Sequence, residues 1–318
     1  MTTHTPICDL LGIDTPVVQA GMGVFTSAEL VAAVSNAGGL GSLGAGLRPV
    51  DDLRSQLTRI RELTDRPFAV NHTLNSTPDP ESIAVTIEAK PVVMSFALGD
   101  PVEYVEMAHD AGICVMHQVT TVAQAQQALS RGVDIIVAQG SEGGGFGGRV
   151  STLTLVPQVV DIADKIPVLA AGGVADGRGM AAMLILGAQG VNIGTRFLAS
   201  EEAPISPEWK MMITGATSEQ TVKFDVWDTL FPTRPGGYEI SPRTLHAEFV
   251  DRWNHRPEEA RDHAEEIRTT ILAAIRGGRM HEVMPWAGET VGLIEDVQPA
   301  GQIVRDITRE AEAYLEAC

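Results

Sequence analysis

Residues 135–149, IIVAQGSEGGGFGGR, set an apolar run directly before Gln139 and a tract with glycine at 143, 144, 145, 147 and 148. The run reads as a buried parallel strand, because a strand covered on both faces is continuously apolar rather than alternating. So many glycines serve neither sheet nor helix, since each loses extra backbone entropy on folding. They allow close backbone approach to a ligand and present N–H groups to an anion or a polar ring edge. Two later runs end in the same way. Residues 167–175, PVLAAGGVA, end at Gly172 and Gly173, and residues 190–197, GVNIGTRF, end at Gly194 and Thr195. Neither is a dinucleotide fingerprint or a P-loop. In a parallel α/β barrel, the loops after the last two strands and a short helix N-terminus form the usual phosphate site. The spacing therefore points to a phosphate held by backbone amides at a barrel mouth.

Eight strand-like runs must position these loops: 16–21, 39–44, 68–71, 92–96, 113–119, 135–139, 168–171 and 191–194. Helical patterns separate most of them, at 27–37, 50–63, 101–111, 122–130, 153–162 and 176–186. Ser27 and Thr121 are expected N-caps and Gly38 a helix stop. Strand–helix alternation implies parallel strands with right-handed crossovers. The expected fold class is α/β, a closed (β/α)8 barrel with an α-rich elaboration after the eighth strand; an open doubly wound sheet is the runner-up. The expected organisation is a barrel over 1–200, a mainly helical elaboration or lid over 201–298, and a closing helix over 299–318. Within the elaboration, 258–276 reads as one amphipathic helix. All four tryptophans, Trp209, Trp227, Trp253 and Trp286, fall in that segment. They fit either a lid or a homodimer surface, and the residues do not choose.

Apolar content of 44% supports a full core, and net charge is 23 − 41 = −18. That charge argues against nucleic acid or an anionic membrane as the main partner. Cys8, Cys114 and Cys318 give neither a disulfide framework nor a metal spacing, and Cys114 is expected to be a buried thiol. No run is long and apolar enough for a membrane span. The first residues lack the pattern of a secretory signal, so a cytoplasmic location is expected.

The motifs VVQAGMG (17–23), SNAGGLGSLGAG (35–46), VN (70–71), AQGSEGGGFGG (138–148), AAGGVADGRGMAAMLILGAQGVNIGTRFLAS (170–200) and WAGETVGLIEDVQPAGQIV (286–304) together resemble the nitronate monooxygenase family. That family, once called 2-nitropropane dioxygenases, is related to the flavin-dependent enoyl-acyl-carrier-protein reductases. The resemblance implies a TIM barrel binding FMN without a covalent bond. It implies Gly21, Met22 and Gly23 along the isoalloxazine and Asn71 on the flavin or its ribityl chain. Gln139 and Gly144 would lie beside ring and tail. Gly172, Gly173, Asn192, Ile193, Gly194 and Thr195 would complete the phosphate cup.

The chain departs from the pattern at one position. The family's glycine-rich segment ends in a histidine, its presumed catalytic base; here that position is Phe146, which cannot take a proton. A nitronate is already deprotonated at carbon, so its oxidation survives the loss, whereas a neutral nitroalkane needs a substitute base. His117 and His72, near the ends of the fifth and third strands, are the candidates, although a lone histidine beside an apolar run is more often structural. The remaining histidines are expected to face solvent. Ser141 has no paired histidine, and Glu142 is expected to hold the loop. The implied activity is oxidation of alkyl nitronates by O2 to a carbonyl compound and nitrite. The alternatives are a nicotinamide-dependent reductase of a quinone or an enoyl thioester, or a flavin-binding protein with altered activity. Gln139 weighs against the enoyl branch, where an acidic residue is expected.

Overall fold

The computed structural model describes residues 3–233 and 237–317. Its strands are β1 (Val17–Gln19), β2 (Gly41–Gly44), β3 (Phe68–Thr73), β4 (Val93–Ala97), β5 (Cys114–Val119) and β6 (Ile135–Gln139), then β7 (Gly145–Gly147) inside the glycine tract, β8 (Val168–Ala171), β9 (Gly190–Ile193), β10 (Thr221–Lys223) and β11 (Ser241–Leu245). Eight of them form one parallel sheet in the order β1-β9-β8-β6-β5-β4-β3-β2. The ring closes where Val18 bridges Leu40, with Leu40 N–H donating to Val17 O and Gln19 N–H donating to Leu40 O, both at 2.9 Å. This is a (β/α)8 barrel, as the alternation implied.

Strand alternation divides the side chains into two layers. Val18, Leu40, Ala69, Val93, Met116, Val137 and Leu169 fill the barrel interior. The neighbouring Val17, Phe96, Val115, Ile136, Ala138, Ala170 and Val191 face the outer helices. The helix Pro6–Leu11 places Ile7, Cys8 and Leu11 in the interior cluster. Gly12 behind it lies against Pro67, the residue before β3, so the helix plugs the N-terminal end. The helix Ala300–Glu316 packs on the wall through Ile303, Val304 and Ile307.

The outer helices are Ala28–Asn36, Val50–Leu63, Pro80–Ala89, Val102–Asp110, Val122–Ser130, Thr152–Ala163 and Gly177–Ile185. Ser27 and Thr121 cap as expected, their hydroxyls accepting from Leu30 N–H at 3.1 Å and Gln124 N–H at 3.2 Å. Gly38, at φ +93°, ends its helix.

Several details differ from the sequence reading. The segment 258–276 is two helices, Pro257–Asp262 and Ala264–Arg276, because His263 leaves helical geometry at φ −106°, ψ 16°. Cys114 is half-buried at the start of β5, while Cys8 is the buried thiol; Cys318 lies outside the described residues. The elaboration is not purely helical. Its strand β11 pairs antiparallel with both β10 and the glycine-tract strand β7, so the loop after the sixth barrel strand is built into a second sheet. The tryptophans point inward: Trp209, Trp227 and Trp253 are buried in a cluster with Phe25, Phe224, Ile271 and Ile275, and Trp286 packs against it.

Candidate active site

A cavity of about 760 Å³ opens at the C-terminal ends of the barrel strands and continues beneath the elaboration. This is the end of the barrel at which such enzymes carry their chemistry. Every one of the twelve expected cofactor residues lines it: Gly21, Met22 and Gly23 after β1, Asn71 on β3, Gln139 and Gly144 at and after β6, Gly172 and Gly173 after β8, and Asn192, Ile193, Gly194 and Thr195 at the end of β9.

Local geometry accounts for these residue types. A Cβ on Gly21 would collide with the Asn71 side chain, so only glycine lets the backbone cross it. A Cβ on Gly144 would stand 2.5 Å from Gly288 N. Gly172 and Gly173 both hold left-handed backbone, at φ +84° and +75°, which side chains other than glycine rarely adopt. Asn71 Nδ2 donates to Ser95 Oγ at 3.1 Å, and Gln118 Nε2 donates to Gln139 Oε1. Thr195 Oγ1 accepts from Gly288 N–H at 2.9 Å, joining the cup to the elaboration.

Among the described residues, Ser42 Oγ, Asn192 Oδ1 and the indole Nε1 of Trp209, Trp227 and Trp286 are buried without a hydrogen-bond partner, and all five residues line the cavity. A buried polar atom left unpaired is costly, so the wall is incomplete as it stands and suits a polar ligand. Arg48 is the one lysine or arginine lining the cavity among the described residues. Its guanidinium is committed to Gly44 O at 3.0 Å, Thr26 O at 2.7 Å and the Asp52 carboxylate. A phosphate in the cup would therefore rely on backbone N–H groups and a helix start.

The glycine tract is fixed at several points. Arg243 on β11 donates through Nε to Ser141 O at 3.1 Å and pairs with Glu289 at 2.8 Å. Lys223 on β10 donates to Gly148 O. Burial pulls the Lys223 amine down to about 8, with the positive charges of Arg243 and Arg149 adding to the effect. Glu142 accepts from Thr152 N–H at 2.9 Å and Thr152 Oγ1 at 3.0 Å, the loop-holding role expected of it. Ser141 Oγ donates to that carboxylate at 3.3 Å, and among the described residues no histidine is its hydrogen-bond partner.

Phe146, in the middle of β7, turns its ring into an aromatic group. Its centroid lies 5.0 Å from Trp227 and 5.1 Å from Trp286, both in tilted or edge-on geometry.

The two histidine candidates are placed elsewhere. Register pairs His72 with Phe96 and His117 with Ile136, residues of the outer layer. His72 borders the cavity, but its Nε2 lies 3.0 Å from Thr86 Oγ1 and its ring stacks on Phe96. His117 does not line the cavity; its Nε2 lies 2.8 Å from the hydroxyl of Tyr238, which does. Desolvation pulls both imidazoles down to about 4, so both are neutral near pH 7. Of the other histidines, five are exposed, and His281 is half-buried with Nδ1 3.3 Å from Ser206 Oγ.

Lining residues that the sequence reading passed over are Ser42, Ser95, Met116 and Gln118 inside the barrel and Tyr238 above it. Alternation identifies four of them: once Asn71 points inward, so do Ser95 and Met116 in register with it, and Ser42 and Gln118, two residues along their strands from that level, share the face. Among the described residues no group of histidine, cysteine and acidic side chains could hold a metal, and no helix is long and apolar enough to cross a membrane.

The chain matches the family model described as nitronate monooxygenase over residues 4–84 and 72–310. A Rhodococcus jostii protein named (3aS,4S,5R,7aS)-5-hydroxy-7a-methyl-1-oxo-octahydro-1H-indene-4-carboxyl-CoA dehydrogenase is 42% identical over 64% of this chain, and the match spans 58% of that relative. A probable nitronate monooxygenase of Staphylococcus saprophyticus is 32% identical over 99% of both chains. The solved structure of FabK from Thermotoga maritima superimposes with a TM-score of 0.90 at 35% identity, covering 99% of this chain and 98% of that one. The chain is an oxidoreductase of the nitronate monooxygenase family.

Proposed function

We propose that the protein binds FMN in this cavity and oxidises alkyl nitronates with O2 to a carbonyl compound and nitrite. The observation that carries the proposal is a site with glycine-built walls and, among the described residues, no base without a partner. The ionisable groups that line it have partners: Arg48 with Asp52, Glu142 with Thr152, His72 with Thr86, Tyr238 with His117, and Asp79 as the cap that accepts from Glu81 N–H at 2.9 Å. A substrate that arrives deprotonated at carbon needs no base. When bound, FMN supplies the route for electrons from substrate to dioxygen. Two nitronates and one O2 balance to two carbonyl compounds and two nitrites, with no proton lost or gained.

The chain's own part is positional. Gly172, Gly173, Gly194 and Thr195 would hold the phosphate, Ser42 and Asn192 offer their unpaired oxygens to polar parts of the flavin, and Gln139, fixed by Gln118, would sit at the ring. Residues 201–298 act as a roof that excludes water from the reacting atoms. The protein works on a small molecule, with no part for nucleic acid or membrane, in the cytoplasm.

A second reading, oxidoreduction of an acyl thioester or quinone with a nicotinamide, is favoured by the cavity's size and by the carboxyl-CoA dehydrogenase likeness. The test is the visible spectrum of the purified protein, followed by anaerobic mixing. Flavin absorbance that bleaches with ethyl nitronate supports the oxidase. Flavin that bleaches only with NADH or NADPH moves the assignment to the second reading, and a protein that takes up no FMN overturns both.

A further inference from the structure

The cavity has two chemically different ends. One is the polar cup at the barrel mouth. The other is a chamber walled by Phe146, Trp227, Leu230, Phe231, Ile271 and Ile275. Leu230 and Ile271 are fully buried, Trp227 and Ile275 nearly so, and Phe146 and Phe231 are half-buried. The chamber is a built feature rather than a gap. Trp227 stacks on Phe231 at 4.4 Å, and Phe146 packs edge-on to Trp227 at 5.0 Å. Three parts of the chain supply it: the glycine tract, the short helix Trp227–Leu230 with the residue after it, and the helix Ala264–Arg276. Phe146 joins the two ends, since it lies two residues from Gly144 in the cup-side wall. The exchange that removes a base from this position thus also supplies an apolar wall.

A small nitronate has no use for such a chamber. We infer that it is the subsite for the substrate's apolar part, a cyclic or long alkyl group, and that Phe146, Trp227 and Phe231 set this specificity. The inference rests on the flavin reading for the position of the head group, but the chamber can be tested by itself. An n-alkyl carboxylate is planar, anionic and unreactive, and so imitates a nitronate head group. All four tryptophans belong to the elaboration, and three of them, Trp209, Trp227 and Trp286, line the cavity, so intrinsic fluorescence reports occupancy.

The experiment titrates the FMN-treated protein with propionate, butyrate, hexanoate, octanoate and cyclohexanecarboxylate while following tryptophan emission. The expected Kd falls about threefold to fourfold per added methylene up to hexanoate. Cyclohexanecarboxylate should bind on the order of 50-fold tighter than propionate. Phe231→Ala should reduce the gain per methylene by about half, and Phe231→Leu should restore it, with a thermal melt of each variant confirming folding. The same chain-length order in kcat/KM for the matching nitronates would extend the result to catalysis. A Kd that varies less than twofold across the series, or a slope unchanged in Phe231→Ala, overturns the chamber. A protein that takes up no FMN overturns the flavin reading alone, because the fluorescence series still reads the chamber.

Discussion

At position 146 one side chain decides two properties. Phenylalanine gives its ring partners Trp227 and Trp286 and withholds a proton acceptor. On the proposed nitronate reading, Phe146→His should raise turnover of neutral nitroethane by about 10²- to 10⁴-fold, the usual contribution of a positioned base, while ethyl nitronate turnover changes little. Nitrite release from the two forms, prepared separately, measures this; no gain with the neutral form would mean that a base at 146 is not what is missing. The buried histidines make a second prediction. Desolvation holds His72 and His117 at about 4, against roughly 6.5 in an unfolded chain. Because the folded value is the lower one, their contribution is complete above pH 6.5 and is lost as pH falls through 4. Two such groups add a slope of roughly 3 kcal/mol per pH unit between those limits. Urea unfolding at pH 6.5, 5.5 and 4.5 should show it, and His72→Gln should remove about half; an unchanged slope would place His72 in solvent. The alternation of β3 carries a lesson for reading the chain. Asn71 and His72 are adjacent, so both cannot face the barrel interior, and His117 sits between Met116 and Gln118, which line the cavity. Pairing register, available only from the folded sheet, decides which residue of each pair turns in.

At the scale of elements, the glycine tract is less a loop than a strand held from above. Arg243 and Lys223 reach its two ends, at Ser141 O and Gly148 O, and β11 pairs with Gly145–Gly147 between them. Arg243→Met removes the bond to Ser141 and leaves Glu289 without its partner at 2.8 Å. Losing one partly buried charge-assisted bond costs about 1–3 kcal/mol. On the proposed flavin reading, FMN affinity should therefore fall by about 5- to 100-fold, and limited proteolysis should begin to cut between 141 and 149. Wild-type affinity with a protected tract would show that the tract is held without the clamp. This pairing was not legible in the sequence, for a physical reason. Glycine carries no strand propensity, and the partner strand lies about a hundred residues away, so no local signal marks it. The barrel strands were legible because parallel strands buried on both faces appear as unbroken apolar runs. The plug Pro6–Leu11 escaped because six residues carry too little periodicity to register.

At the scale of the molecule, the question is whether barrel and elaboration fold separately. The cut at residue 200 follows a change in composition, yet the contacts cross it. The second sheet takes β7 from the barrel's own loop. Gly288 N–H meets Thr195 Oγ1, Glu289 N–H meets Glu142 O at 2.9 Å, and the buried Arg196 pairs with the exposed Asp296 at 3.1 Å. Phe25, from the segment after β1, lies 5.0 Å from Trp209 within one apolar cluster. An interface shared by a sheet, buried polar bonds and a common core predicts one cooperative unit. The chain supplies its own probes, since every tryptophan lies in the elaboration while most of the helix belongs to the barrel. Thermal unfolding followed by tryptophan emission and by far-ultraviolet circular dichroism should give coincident midpoints. On the proposed flavin reading, added FMN would bind between the two parts and should raise both together by mass action. An emission midpoint about 5 °C or more below the dichroism midpoint would make the elaboration a separately melting lid. In that case the walls of the apolar chamber would be assembled by folding of the lid rather than preformed.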